Sequence, residues 1–153
     1  MQFYYRKEIK AFNKNRLHYL VIGGIAVNLY GLQRLTLDLD LMIDLSPELL
    51  EKFVKIMEKL GYGTKVPQKK WAKVMAIAFV NQQDNDKRID VFLKNPIDFT
   101  KAYKRRKVFK VEGLSISCVS FEDLIDLKNK ASRTRDLIDI GSLKRLKKLE
   151  NQQ

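Results

Sequence analysis

The stretch Leu37 to Leu45, L-D-L-D-L-M-I-D-L, constrains this chain most, because its apolar and acidic residues alternate with a period of two. That period belongs to a β-strand, on which residues i and i+2 share a face. Asp38 and Asp40 therefore project together, and Leu37, Leu39 and Leu41 are expected to face a core. Two carboxylates that close repel each other, and one takes up a proton unless a cation lies between them. Mg²⁺ removes that cost: it takes hard oxygen ligands and is usually held by one or two carboxylates plus substrate phosphates. A third carboxylate on a neighbouring strand would complete a two-metal site with ions ~4 Å apart. Asp90, in the strand-like run R-I-D-V-F-L, is the natural candidate. The alternation also suits an edge strand with its polar face in water, so the acidic pair needs context.

Gly23-Gly24 supplies it. The pair closes the apolar run His18 to Ile22 and opens a helical stretch, I-A-V-N-L-Y, that ends at Gly31. Glycines there let a phosphate approach the backbone, and a helix start offers free N–H groups and a partial positive charge. Two glycines alone often mark an ordinary strand-to-helix turn. An anion-binding turn fourteen residues before a carboxylate pair is more specific. The helix between them returns the chain so that the acidic strand can lie beside the first strand. A triphosphate would then bridge turn and metals.

The rest of the chain organises around this unit. Phe3 to Lys14 reads as an amphipathic helix, and Ser46-Pro47 as the N-cap and first residue of a helix ended by Gly61. Lys73 to Val80 and Arg88 to Leu93 read as strands joined by a polar hairpin loop, and Ile97 to Arg106 as a short helix. Val108 to Val111 and Leu114 to Val119 flank the Glu112-Gly113 turn. Ser120 opens a helix with Leu124, Leu127 and Ala131 inward, and a last helix from Thr134 to Leu149 carries Leu137, Ile138, Ile140, Leu143 and Leu146. The expected class is α/β (α+β), a mixed sheet flanked by helices. A doubly wound parallel sheet is excluded, because crossover helices are missing between the later strands. With 153 residues and no linker, a single domain spanning 1–153 is expected, its core at about 17–119 and a helical part at about 120–149.

Composition limits the function classes. Thirty Lys and Arg against eighteen Asp and Glu give +12. Residues 1–44, 45–93 and 94–153 carry +2, +3 and +7, so the excess lies towards the C-terminal end. A basic surface around an acidic spot is expected of proteins that handle polyanions through bound cations, although a basic protein need only be soluble. Apolar runs such as Tyr19 to Ala26 are too short to span a bilayer, and MQFYYRKEIK lacks a signal core. One cysteine, Cys118, requires no oxidising compartment, and a cytoplasmic protein without membrane partners is expected.

The segment V-I-G-G-I-A-V-N-L-Y-G-L-Q-R-L-T-L-D-L-D-L resembles the minimal nucleotidyltransferases of the DNA polymerase beta superfamily. It is most similar to the branch that contains the toxins of abortive-infection toxin–antitoxin pairs. That pattern, a glycine turn, a helix and then Gly-x-x-Arg-x-Thr-x-Asp-x-Asp, is met by Gly23, Gly24, Gly31, Arg34, Thr36, Asp38 and Asp40, with Asp90 as the later acid. The branch's C-terminal signature is met by D-L-I-D-L-K followed by R-T-R-D-L-I-D-I, which places Lys128, Arg133, Arg135, Asp136 and Asp139.

The resemblance implies a nucleotidyltransferase-like fold and transfer of a nucleoside monophosphate from an NTP to an acceptor, with release of pyrophosphate. It implies that Asp38 and Asp40 hold both Mg²⁺ ions and that Asp90 helps hold the one activating the acceptor hydroxyl. Gly23, Gly24, Arg34, Thr36 and Lys128 fall on the donor side. Lys128 is then a triphosphate contact, against the alternative of a solvated helix lysine. Arg34 is better read as paired to an aspartate, as is Arg133 with Asp136, while Asp136 near the acceptor is the alternative. The implied acceptor is a nucleic acid, with tRNA foremost, or a protein hydroxyl, and an antitoxin is a candidate partner. Many members of the superfamily have serine where this chain has Gly24, so one hydroxyl contact to phosphate is missing. The alternative function is an inactive nucleotide- or RNA-binding module of the same fold, although such a module needs no third carboxylate.

Four further features invite function and have plainer explanations. His18 and Cys118 border or occupy apolar strands, where packing roles are expected. Lys104 to Lys107, beside Tyr103 and Phe109, could grip RNA or form a solvated face. Trp71 is expected to anchor a core edge.

Overall fold

Alternating sequence becomes strand, and strand becomes the middle of a sheet. The computed structural model describes residues 3–152, with α1 Arg6–Lys14, β1 Tyr19–Ile22, α2 Gly23–Leu29, β2 Asp38–Ile43 and α3 Pro47–Lys59. Then follow β3 Tyr62–Gly63, a 3₁₀ turn Gln68–Lys73, β4 Ala76–Asn81, β5 Arg88–Phe92 and α4 Phe99–Lys104. The chain ends with β6 Lys107–Val111, β7 Leu114–Cys118, α5 Phe121–Ala131 and α6 Thr134–Asn151. The sheet order is β3-β4-β5-β2-β1-β7-β6, with β2/β5 and β1/β7 parallel and the other neighbours antiparallel. It is the mixed sheet with flanking helices that the sequence predicts.

Register assigns the two faces. Tyr19 pairs with Ile43, Leu39 with Ile89 and Leu41 with Val91, and these pair onward with Phe79 and Ile77. All of them are buried. Phe12 of α1 and Phe53 of α3 pack on this face, their ring centroids 5.9 Å apart, with Phe12 5.5 Å from Tyr19 and Phe53 5.7 Å from Phe79. The opposite face carries the alternate residues, including Asp38, Asp40, Arg88 and Asp90.

Turns fall where the residues require them. Gly31 and Gly61 take positive φ (110° and 86°) and stop α2 and α3. Glu112 and Gly113, both at positive φ, make the tight β6–β7 hairpin. Ser120 Oγ accepts the Asp123 N–H at 3.1 Å and caps α5. Ser46 precedes α3 without a side-chain cap; its N–H instead donates to Asp44 Oδ1 at 2.9 Å.

Several local expectations need correction. Leu37 precedes β2 and is 56% exposed. Strand β4 begins at Ala76, because Gln68–Lys73 winds into the 3₁₀ turn that buries Trp71 at the core edge. The helix expected from Ile97 spans only Phe99–Lys104, since Asp98 caps it by accepting the Lys101 N–H. Ala131 is exposed. Leu137 and Ile138 point outward, because α6 turns Asp136, Asp139, Ile140 and Leu143 inward. The apolar residues of this helix therefore do not all lie on its buried face, which is partly ionic. Cys118 is buried, and desolvation pushes its thiol pKa up, consistent with packing. His18 is exposed and stacks on Tyr103 at 4.6 Å. Among the described residues no helix is long and apolar enough to cross a membrane.

Candidate active site

The site begins as one row across four strands. Ile22 at the end of β1 pairs with Asp40, Asp40 pairs with Asp90, and Asp90 pairs with Ala78. Cross-strand partners share a face, so the two carboxylates meet. Asp38 lies one step along β2, opposite Arg88. All three aspartates line a cleft of ≈ 660 Å³ between this face and the α5–α6 corner. Burial, reinforced by the charges of Asp90 and Asp38, pushes the Asp40 carboxyl up to about 7.

Gly23 is fixed by the same crowding. A Cβ built on it would lie 2.2 Å from Asp40 Oδ2, and its φ is +69°. Gly23→Ala is expected to cost about 2 kcal/mol or more through clash and left-handed strain, lowering the melting temperature by several degrees. Thermal unfolding followed by circular dichroism checks this. A Cβ on Gly24 would meet Thr36 Oγ1 at 3.1 Å, so the Thr36 hydroxyl lies beside that bare Cα.

Basic side chains surround the acids. Arg34, Arg88, Lys94, Lys130, Arg133 and Arg135 line the cleft together with Lys128. Arg88 Nε donates to Asp90 Oδ1 at 2.9 Å. Lys128 is not a solvated helix lysine: it is 5% exposed and donates to Asp139 at 3.0 Å and Asp136 at 3.3 Å. Arg34 pairs with Asp139 at 2.5 Å and Arg133 with Asp136 at 2.7 Å, as expected for structural partners. Burial alone would raise the Asp136 pKa, but the Arg133 hydrogen bond and the Lys128 charge hold it below the usual carboxylate range. The C-terminal motif thus folds into an ion network that ties α5 and α6 to the segment leading into β2.

Tyr5 and Arg88 carry no motif and take part nonetheless. The Tyr5 hydroxyl donates to the Leu37 carbonyl and accepts the Arg88 N–H at 3.2 Å, joining the starts of β2 and β5 where the acids emerge. Arg88 is legible only as the i−2 neighbour of Asp90. The basic run splits up: Arg105 bonds Asp123, Arg106 lies 4.0 Å over the Tyr103 ring, and Lys107 lies over the rings of Tyr30 and Phe109.

Three carboxylates offer only hard oxygen donors, and burial with the charges of Asp90 and Asp38 raises the Asp40 pKa, a cost that a bound cation would relieve, so the donor set fits divalent cations. Among the described residues no three or more histidine, cysteine, aspartate or glutamate side chains are already gathered as a metal cage.

A mixed sheet carrying a glycine turn and an acidic row beside a basic cleft is the arrangement expected from the resemblance to nucleotidyltransferases. Residues 3–152 match the family described as nucleotidyl transferase of unknown function (DUF2204), and the chain belongs to it. No curated protein matches the chain. Among solved structures it is similar to the lincosamide antibiotic adenylyltransferase LnuA with lincomycin bound, at TM-score 0.66 and 19% identity, covering 92% of this chain and 94% of that one. ANT(2")-Ia in complex with adenylyl-2"-tobramycin gives TM-score 0.58 and 16% identity, covering 90% and 89%. An antigenic nucleotidyltransferase-like protein from Paracoccidioides brasiliensis gives TM-score 0.58 and 15% identity, covering 90% and 72%. At these identities the likeness is one of fold.

Proposed function

We propose that the chain is a Mg²⁺-dependent enzyme that moves a nucleoside monophosphate from an NTP to a hydroxyl acceptor. The observation that carries this is the pairing of Asp40 with Asp90 across β2 and β5, with Asp38 two residues away on the same face. In this reading Asp38 and Asp40 would hold two ions and Asp90 would share one of them. Bound magnesium supplies charge neutralisation for the triphosphate and acidifies the acceptor hydroxyl. The bare backbone at Gly23 and Gly24 admits the donor phosphates, and the Thr36 hydroxyl offers the hydrogen bond that a serine at the second turn position would otherwise give. Two carboxylates engage Lys128, which leaves its third N–H for a phosphate oxygen. The acceptor hydroxyl gives up its proton to solvent, its oxygen bonds to the α-phosphorus as the bond to the α–β bridging oxygen breaks, and pyrophosphate leaves.

The finer form of this reading is a cytoplasmic enzyme of the abortive-infection toxin type, with RNA (tRNA foremost) or a protein hydroxyl as acceptor and an antitoxin as partner. The C-terminal ion network supports it, since it is built from that branch's signature. The second reading, an inactive nucleotide- or RNA-binding module, draws on the Arg88–Asp90 bond, which already neutralises one carboxylate. Incubation with each α-labelled NTP, Mg²⁺ and total RNA or extract decides between them. Label transfer by the wild type that disappears with Asp38→Ala plus Asp40→Ala is expected; NTP binding without transfer to any acceptor establishes the module.

A further inference from the structure

We infer that the β4–β5 half of the cleft floor is a platform for the end of a single-stranded nucleic acid, with Phe92 as its stacking surface and Lys94 as a phosphate contact. This rests on the nucleotidyltransferase reading and names the acceptor class for the same site. Arg88, Asp90 and Phe92 alternate along β5 and therefore share the face of the acidic row, each about 7 Å from the next. Lys94 follows just past the strand, exposed, and lines the cleft with them. Phe92 is half-buried and packs in part on the core while lining the cleft, and the β4 residues opposite Asp90 and Phe92 are the small Ala78 and Ala76. Exposed Met75 continues the apolar floor, and Lys130 stands at the far end, where it donates to the Pro96 carbonyl at 3.2 Å.

Charge selects the occupant. The cleft holds seven basic and four acidic side chains, an excess of positive charge that favours an anionic occupant. Asp38, Asp40 and Asp90 form the acidic row, and Asp136 is bound by Lys128 and Arg133. An acceptor with phosphates and a flat base matches the aromatic-and-lysine floor, because bases stack on aromatic rings irrespective of sequence while lysines track the backbone. The acceptor hydroxyl then lies by Asp90, one strand step from the stacked base.

Fluorescence anisotropy with 5′-labelled eight-nucleotide RNA and DNA oligomers tests this at low salt on the full chain. It compares wild type with Phe92→Leu, Phe92→Ala and Lys94→Glu. Phe92→Leu keeps the apolar contact and removes only the ring. Binding of at least one oligomer is expected, weakened about ten-fold by either Phe92 variant and by Lys94→Glu, and falling steeply with salt. The oligomer preferred identifies RNA or DNA as the source. The NTP-induced thermal shift of the wild type is measured in parallel. Absence of binding to both oligomers, or binding that none of the variants weakens, overturns the platform. Oligomer binding with these losses but no NTP-induced shift in the wild type supports the platform and instead defeats the nucleotidyltransferase reading.

Discussion

Asp40→Asn is expected to abolish nucleotidyl transfer, by about 10³-fold or more, while making the protein harder to unfold above pH 7. Loss of an outer partner of a metal ligand already costs about 10–100-fold, and a direct ligand costs more. The gain in stability follows from the raised pKa. Burial and the neighbouring Asp90 and Asp38 lift the Asp40 carboxyl to about 7 in the folded chain, against about 4 when unfolded. Between those values the folded state holds a proton that the unfolded state has lost, so wild-type stability falls as pH rises from about 4 to about 7 and stays low above that. Asparagine is neutral throughout and removes the fall. With the shared titration of the acidic row discounted, the difference is on the order of 2 kcal/mol, or ~4–8 °C, at pH 8. Melting curves in a chelator at pH 5 and pH 8 check it. The variant should gain at pH 8 and about a third as much at pH 5, and Mg²⁺ should raise the melting temperature of the wild type alone. Equal gains at both pH values would refute the electrostatic origin.

Lys128→Met is expected to be among the most destabilising single changes, costing about 3–5 kcal/mol. The ammonium is buried between Asp136 and Asp139, and methionine keeps the volume of the stem while removing the charge. Arg133 and Arg34 each remain on one of those carboxylates, so the network is wounded rather than erased. The acid limb should move as well. The depressed Asp136 pKa contributes stability that is present above its unfolded value and lost as pH falls through the folded one. Without Lys128 that folded pKa rises, so the variant should lose its remaining stability at a higher pH on acidification. Urea titrations at pH 7 and at steps down to pH 3 measure both effects. A loss below about 1 kcal/mol would show that the two arginines suffice.

Much of this molecule was legible in its residues because the signals are local. The period of Leu37 to Leu45 specifies a strand whatever surrounds it, and glycines at 23, 31 and 61 sit where φ must be positive. The helix start at Ser120 is likewise a contact between neighbours in sequence. Asp38 and Asp40 share a face by strand geometry alone. Asp90 could be nominated from its pattern, but pairing it with Asp40 requires the parallel β2–β5 register, which no local rule fixes.

The C-terminal helix shows the opposite case. Of its apolar residues the fold buries Ile140 and Leu143 and leaves Leu137 and Ile138 outside, because Asp136 and Asp139 turn inward to find Lys128 on α5 and Arg34 far upstream. A buried charge is tolerable only when its partner arrives, and the partner comes from elsewhere in the chain. Tyr5, Arg88 and Phe92 acquire their places in the same way. The sequence by itself determined the strands, the turns and which acids could share a face, since these depend on spacing along one segment. Only the tertiary structure decided which acids meet, which cations are spent holding them and which ring lines the cleft, because these depend on the register between segments that lie far apart in the chain.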